Sequence, residues 1–485
     1  MNNSRTKIAI IGAGVAGTTA AIYLGKLGLD VTLFEKNRSI ISGPPFCHLH
    51  AGGNLYREIS DQACIQLLKE SIELLRMYPQ AIDYRPTVLA VPKTDSQEPQ
   101  DLYRRLEILK KEYDKLIQND IKNKVLCNSE NYYKIYTKED IELLKEKNII
   151  KQPITLDDWM IPVAKNVDLN KLKFPLIMVQ EYGLNIFRLG ASATYTLQKI
   201  KNTNILLNTK VTNIQKNDNE ENYNIEYIQQ DKTIKEDFDY IINAAGFKTG
   251  KIDDMLGFKS KKLVEFKSAY ISHWDKGKDL WPEVIFFGSR GTPQGMGQLT
   301  PYPNGYFQIH GMTEDITLFQ DGLAKSSQQS SHPKLNETFI NMIDKGWNKK
   351  DIDNRTNKAI KHIEQYIPNF QDATVASKPL FGAQQIPGDE ISLRTADVCF
   401  EDKKYARCEI VKASSVLTMS DKIIQELINL SYLNKNTYKQ RDILFNETLD
   451  TNDITKLAQE ICKQRDYPIS LAEVNIAEPK CRKNI

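Results

Sequence analysis

The chain has little cysteine and none of it in a CxxC pair: seven residues stand at positions 47, 64, 127, 399, 408, 462 and 481. An odd, scattered set argues against a disulfide framework and against a zinc site, so no metal is expected and the thiols are expected to be reduced, as in the cytoplasm. There is no run of roughly 18 uncharged apolar residues, so no transmembrane span is expected, although peripheral contact with a membrane stays open. The opening Met1–Lys7 leads into a short apolar run that ends at once in glycines, too short and wrongly flanked for a signal peptide. Charge of one sign is also lacking. Lys and Arg number 65 against 62 Asp and Glu, a net of +3, which leaves no basic field for a nucleic acid. Neither an internal repeat nor a long low-complexity stretch is present. What remains is an ordinary globular composition, 41% apolar and 26% charged over 485 residues, enough for large cores and two or three domain-sized units.

Periodicity gives the opening a β-α-β pattern: an apolar strand at Lys7–Ile11, an Ala-rich helix at Val15–Leu27 and a second strand at Asp30–Glu35. Residues 61–78 read as helix. Asp101–Lys147 is charged and amphipathic and reads as a mostly helical inserted cap. A helix over 190–201 precedes strands at 204–215 and 222–229, and a strand at Asp239–Ala244 ends in small residues. Residues 263–313 read as an antiparallel sheet with Gly and Pro punctuation, 335–366 and 420–431 as helix, and the stretch from Asp450 as helix plus a polar tail.

The chemistry starts at Gly12-Ala13-Gly14-Val15-Ala16-Gly17, a GxGxxG directly after a strand and directly opening a helix. Gly12 permits the tight turn, Gly14 lets the backbone approach a pyrophosphate, and Gly17 lets helix and strand close up. The helix N-terminus offers unpaired N–H groups to the phosphates. Glu35 ends the second strand, 18 residues after Gly17, where a carboxylate can accept ribose hydroxyls and would repel a 2′-phosphate. FAD and NAD both carry ADP, so the fingerprint alone leaves the two open. Two features bear on the choice: the Ser42–Gly53 segment, rich in Gly, Pro and His, where a plain NAD dehydrogenase would start its next helix, and the strand Tyr240–Gly246 ending in Asn243-Ala244-Ala245-Gly246.

These pieces resemble the D-amino-acid oxidase superfamily of FAD-dependent oxidoreductases. The resemblance is carried by Ile8–Gly17 with Glu35, by His50-Ala51-Gly52-Gly53, by Ile241–Gly246, and by Leu299–Glu314, whose strand ends in Gly311-Met312-Thr313-Glu314. Within the superfamily the Leu49–Gly52 stretch is similar to L-2-hydroxyglutarate oxidases and to glycerol-3-phosphate dehydrogenases. The resemblance implies an α/β protein: a Rossmann-type FAD-binding domain with an antiparallel-sheet substrate domain and a helical insertion. The boundaries implied are 1–95, 165–255 and 370–445 for the FAD-binding domain, 96–164 for the insertion, 256–369 for the substrate domain and 446–485 for a C-terminal helical tail. FAD contacts are expected at Gly12, Ala13, Gly14, Val15, Ala16, Gly17, Glu35, Lys36, His50, Ala51, Gly52, Val211, Ala244, Ala245 and Gly246. One departure stands out: where relatives carry a Gly-rich turn opening a helix toward the flavin, this chain reads Arg407–Ser415 without a glycine.

No second dinucleotide fingerprint follows, which argues against disulfide reductases and NADPH monooxygenases. The expected reaction is hydride transfer from a small carboxylated substrate to flavin N5, a 2-hydroxy acid rather than an amine. Oxygen, a quinone or a protein carrier would then reoxidise the flavin. Amine or amino-acid oxidation on the same fold, and a non-catalytic flavin-binding protein, are the alternatives. Such a dehydrogenation needs a base and an anchoring cation. His50 and His310 are the candidate bases, and Arg290, in a glycine-flanked turn, is the candidate anchor ahead of Arg57, Arg188 and Arg394.

Overall fold

The computed structural model describes residues 6–43, 59–217, 222–393, 396–437, 440–445, 449–474 and 479. The opening unit forms as its pattern requires: β1 (Lys7–Ile11), α1 (Val15–Lys26) and β2 (Asp30–Phe34), with β1 and β2 parallel. They belong to a six-stranded sheet that runs Val398–Asp402, Tyr405–Cys408, Tyr240–Asn243, β1, β2, Thr203–Leu206. All neighbours are parallel except the outermost pair. A parallel sheet covered on both faces needs strands that are apolar throughout. Accordingly, Ile8 and Ile10 pack in the cluster that contains α1, while Ala9 and Ile11 pack on the opposite side with Phe34, Ile241 and Ile225. The helix is buried from Val15 to Gly25, which explains its Ala-rich composition on every side. A three-stranded antiparallel sheet, Lys210–Lys216, Tyr223–Gln229 and Lys232–Phe238, covers the second face.

The second large sheet has ten strands, centred on the twelve-residue strand Lys262–His273. Tyr306–Gly311, Gly297–Pro301 and Glu283–Phe286 follow it in antiparallel order, and its first half runs between Leu323–Lys325 on one edge and Leu380–Pro387 on the other, both antiparallel to it. The sheet continues through Thr87–Ala90, Leu176–Val179 and Tyr133–Tyr136.

Several of these strands fall outside the block expected to supply them. Thr87–Ala90, Leu176–Val179 and Leu380–Pro387 lie within the residue blocks expected to bind FAD, yet they join the second sheet. The expected helical insertion, 96–164, contains helices Tyr103–Asn119 and Lys138–Lys145, but its strand Tyr133–Tyr136 completes the edge of that sheet. The expected C-terminal tail docks its helix Thr451–Gln464 on Ile186–Gln198, burying Ile454, Ile461 and Cys462 in the cluster shared with α1. The stretch 335–366 is two helices, Glu337–Lys345 and Lys349–Glu364, parted at Gly346 with φ 94°. Cys127 is disulfide-bonded, so the expectation of wholly reduced thiols does not hold for it; Cys64, Cys399, Cys408 and Cys462 are free.

Candidate functional site

The glycines of the fingerprint are fixed by different neighbours. A Cβ on Gly12, at φ 101°, would lie 2.5 Å from the Ala244 carbonyl oxygen, and one on Gly17 would lie 2.0 Å from the Gly12 oxygen. The turn from β1 into α1 is thus pressed against the end of the strand Tyr240–Asn243. A Cβ on Gly14 would meet nothing within 4 Å. Gly14 is the N-cap of α1, with no side-chain cap bond and no acidic residue in the first turn. The helix therefore presents uncapped N–H groups beside open space, which is the arrangement that receives a phosphate.

That space is a cavity of about 810 Å³. Gly12, Gly14, Glu35, Lys36, Val211, Ala244, Ala245 and Gly246 all line it, brought together from four stretches of chain. Ala13, Val15, Ala16 and Gly17 stand behind this lining, buried in the packing of the turn and of α1. Glu35 is buried, and its two oxygens accept bonds from the backbone N–H of Ala13 and of Asn37, both at 2.9 Å. The carboxylate thus braces the glycine turn as well as facing the cavity. Seven basic residues line the cavity against three acidic ones, a balance that suits a pyrophosphate dianion. Lys248, one of the seven, is held at a pKa of about 8 by burial and then by neighbouring Lys36.

Sequence reasoning missed the contribution of the C-terminus. Arg465 reaches the cavity from the end of the helix Thr451–Gln464 and donates to Ser39 Oγ, to Ile40 O at 2.6 Å and to Ile41 O at 3.0 Å. Burial lowers its pKa to about 10. Lys378 and Leu380–Ala383 complete the wall. The only local signal for Arg465 was an arginine after an amphipathic helix, and nothing local says which loop such a residue reaches.

The second sheet turns a polar strip toward the dinucleotide half. Leu299 and Ile309 face away, into the cluster with the helix Lys349–Glu364, whereas Ile271 belongs to the cluster shared with α1. Strand alternation then directs Gln298, Thr300, Gln308 and His310 to the same side as Ile271. Gln298 stands opposite His310, and Thr300 opposite Gln308. All four are 9% exposed or less. The strip continues through Glu283, which takes a bond from Gln298 Nε2 and an ion pair from Arg85 at 3.4 Å. Asp83 holds both Arg85 and Arg188.

His310 is therefore placed on the face that looks toward the cofactor half. Arg290 pairs with Glu265 and contacts Met312 Sδ, and it does not line the described cavity. Arg188 is buried and donates to Gln80 O, Ile82 O and Asp83. His50, Ala51 and Gly52, like Arg57 and Arg394, lie outside the described residues.

A mostly parallel sheet with a glycine-rich turn, an acidic residue following the next strand, and a large second sheet turned toward that half is the arrangement to be compared with known folds. Residues 7–129 match the family described as FAD dependent oxidoreductase. L-Proline dehydrogenase from P. horikoshii superposes with a TM-score of 0.54 at 16% identity, over 89% of this chain and 95% of that one. Glycine oxidase from Geobacillus kaustophilus gives 0.54 at 12% identity, over 92% and 100%. The FAD-complexed glycerol-3-phosphate dehydrogenase from Bacillus halodurans gives 0.52 at 12%, over 97% and 74%. A stretch of 47 residues is 43% identical to kynurenine 3-monooxygenase from Salinispora arenicola; it covers 9% of this chain and spans only 10% of that relative. No helix among the described residues is long and apolar enough to cross a membrane.

Proposed function

We propose that the protein oxidises a small carboxylated substrate with FAD, a 2-hydroxy acid in the first instance. The observation that supports this most is the buried polar strip facing the dinucleotide half: a sheet face that only packed against another domain would be apolar. Gly12, Gly14 and the α1 N-terminus would hold the pyrophosphate of FAD, Glu35 the ribose, and Val211 and Ala244–Gly246 the walls. When bound, FAD supplies the hydride acceptor. His310 takes the hydroxyl proton from the substrate, with His50 as the further candidate base or flavin contact. Oxygen, a quinone or a protein carrier is the terminal acceptor, and the cytoplasm the working compartment.

Amine or amino-acid oxidation is the second reading. It is favoured by the buried carboxylate Glu283 in the strip and by the fold shared with a proline dehydrogenase and a glycine oxidase. Anaerobic mixing with a panel of 2-hydroxy acids and amino acids, followed by the visible absorbance of the flavin, separates the readings. Bleaching by hydroxy acids supports the first and bleaching by amino acids the second. Bleaching by neither leaves a flavin-binding protein without this activity.

A further inference from the structure

Two polar atoms in the strip have no partner. Thr300 Oγ1 and Gln308 Nε2 are buried, and neither makes a hydrogen bond. Both residues are at most 1% exposed and stand directly opposite each other on paired strands. Tyr302 OH donates to Gln308 Oε1 at 3.2 Å. The NH2 group is thereby the end left unpaired. A buried donor without an acceptor is costly, and two of them side by side on one face mark a place where a ligand oxygen belongs. Among the described arginines of the strip, Arg188 gives its terminal nitrogens to Asp83 and two carbonyls, and Arg85 gives its own to Asp83 and Glu283.

We infer that Thr300 and Gln308 form an oxygen-acceptor subsite, in which a carboxylate or carbonyl oxygen of the substrate accepts bonds from the Thr300 hydroxyl and the Gln308 amide. This rests on the flavoenzyme reading above and deepens it. The substrate's acceptor group is gripped by neutral donors from the strands Gly297–Pro301 and Tyr306–Gly311, next to the proton-accepting His310. Thr300 and Gln308 thus determine which substrates are held.

The test uses the whole chain with its bound flavin. Thr300→Val replaces the hydroxyl by a methyl of the same shape. Gln308→Glu keeps the oxygen that accepts from Tyr302 and removes the N–H donors. The substrate panel is applied anaerobically, and the concentration that half-bleaches the flavin is measured, with the Tm of each protein alongside. Each variant is expected to raise that concentration about tenfold or more, the loss of one hydrogen bond. Flavin content is expected to stay unchanged, and the Tm of Thr300→Val to stay equal or rise, because no protein partner is lost. Wild-type half-bleaching concentrations in both variants would mean that the two atoms hold only water, and would overturn the proposal. A lowered Tm in Thr300→Val with unchanged bleaching would show a purely structural role and overturn it equally. A wild-type protein that no member of the panel bleaches would instead defeat the functional reading, and the subsite with it.

Discussion

Gly12, Gly14 and Gly17 are three glycines of one motif held for different reasons, and they respond to substitution differently. Gly17→Ala would push a methyl to 2.0 Å from a backbone oxygen, an overlap that neither α1 nor β1 can relieve without shifting. We expect a loss of stability of about 1–3 kcal/mol or more, read as a lowered denaturant midpoint in the flavin-free protein. Glu35 shows where residue-level reading stopped short. A carboxylate 18 residues past the motif was found from spacing alone, but its bonds to Ala13 N and Asn37 N depend on the folded turn. Glu35→Ala is therefore expected both to weaken FAD binding about tenfold or more and to lower the Tm of the flavin-free protein, since charge-assisted bonds are worth about 1.5–3 kcal/mol each. Unchanged flavin affinity by titration would contradict the first effect, and an unchanged Tm the second.

At the scale of elements, the helix Val416–Asn429 follows the glycine-free stretch Arg407–Ser415. Its start is served by a side chain from far away in sequence: Glu70, buried on the helix Asp61–Met77, accepts from Ser415 Oγ at 2.7 Å and from Thr418 Oγ1 at 2.9 Å. A carboxylate there also meets the positive end of the helix dipole. Glu70→Ala leaves two hydroxyls without their acceptor and is expected to cost about 2–4 kcal/mol, measured by denaturant unfolding. An effect under about 0.5 kcal/mol would show that the helix start is held elsewhere. Elements with a single clean period were legible in the sequence, β1, α1 and β2 above all. Tyr133–Tyr136 was hidden because four residues of alternation sit between two charged helices, Tyr103–Asn119 and Lys138–Lys145. The Glu70 contact spans 345 residues, and no local pattern could announce it.

For the molecule as a whole, composition correctly indicated large cores, but not how the chain is divided between the sheets. The second sheet collects strands from residues 87 to 387, and the dinucleotide sheet collects them from 7 to 408. Such crossing is invisible to a reading in consecutive blocks. The polar strip went unrecognised for another reason: Glu283, Gln298, Thr300, Gln308 and His310 share a face only once three consecutive strands are in register.

Two histidines give the whole fold a pH dependence. Burial, then nearby Lys251, lowers the His332 pKa to about 4, and burial lowers that of His362, whose Nε2 lies 3.0 Å from Gly295 O. Both groups stay neutral in the folded chain while their unfolded counterparts take up protons below about 6.5. Their contribution to stability is present above that pH and is lost as pH falls toward 4. The Tm is expected to decline across that window, and His332→Asn to flatten the decline; an equally steep slope in the variant would remove His332 from the explanation.

The central claim is that the space beside Gly14 holds the pyrophosphate of FAD. Gly14→Val tests it most directly, because its Cβ would meet no protein atom within 4 Å. The variant should fold, with its circular dichroism and Tm matching those of flavin-free wild type, yet come through purification colourless while the wild type is yellow with FAD. A folded Gly14→Val protein that retains a full complement of FAD would contradict the account.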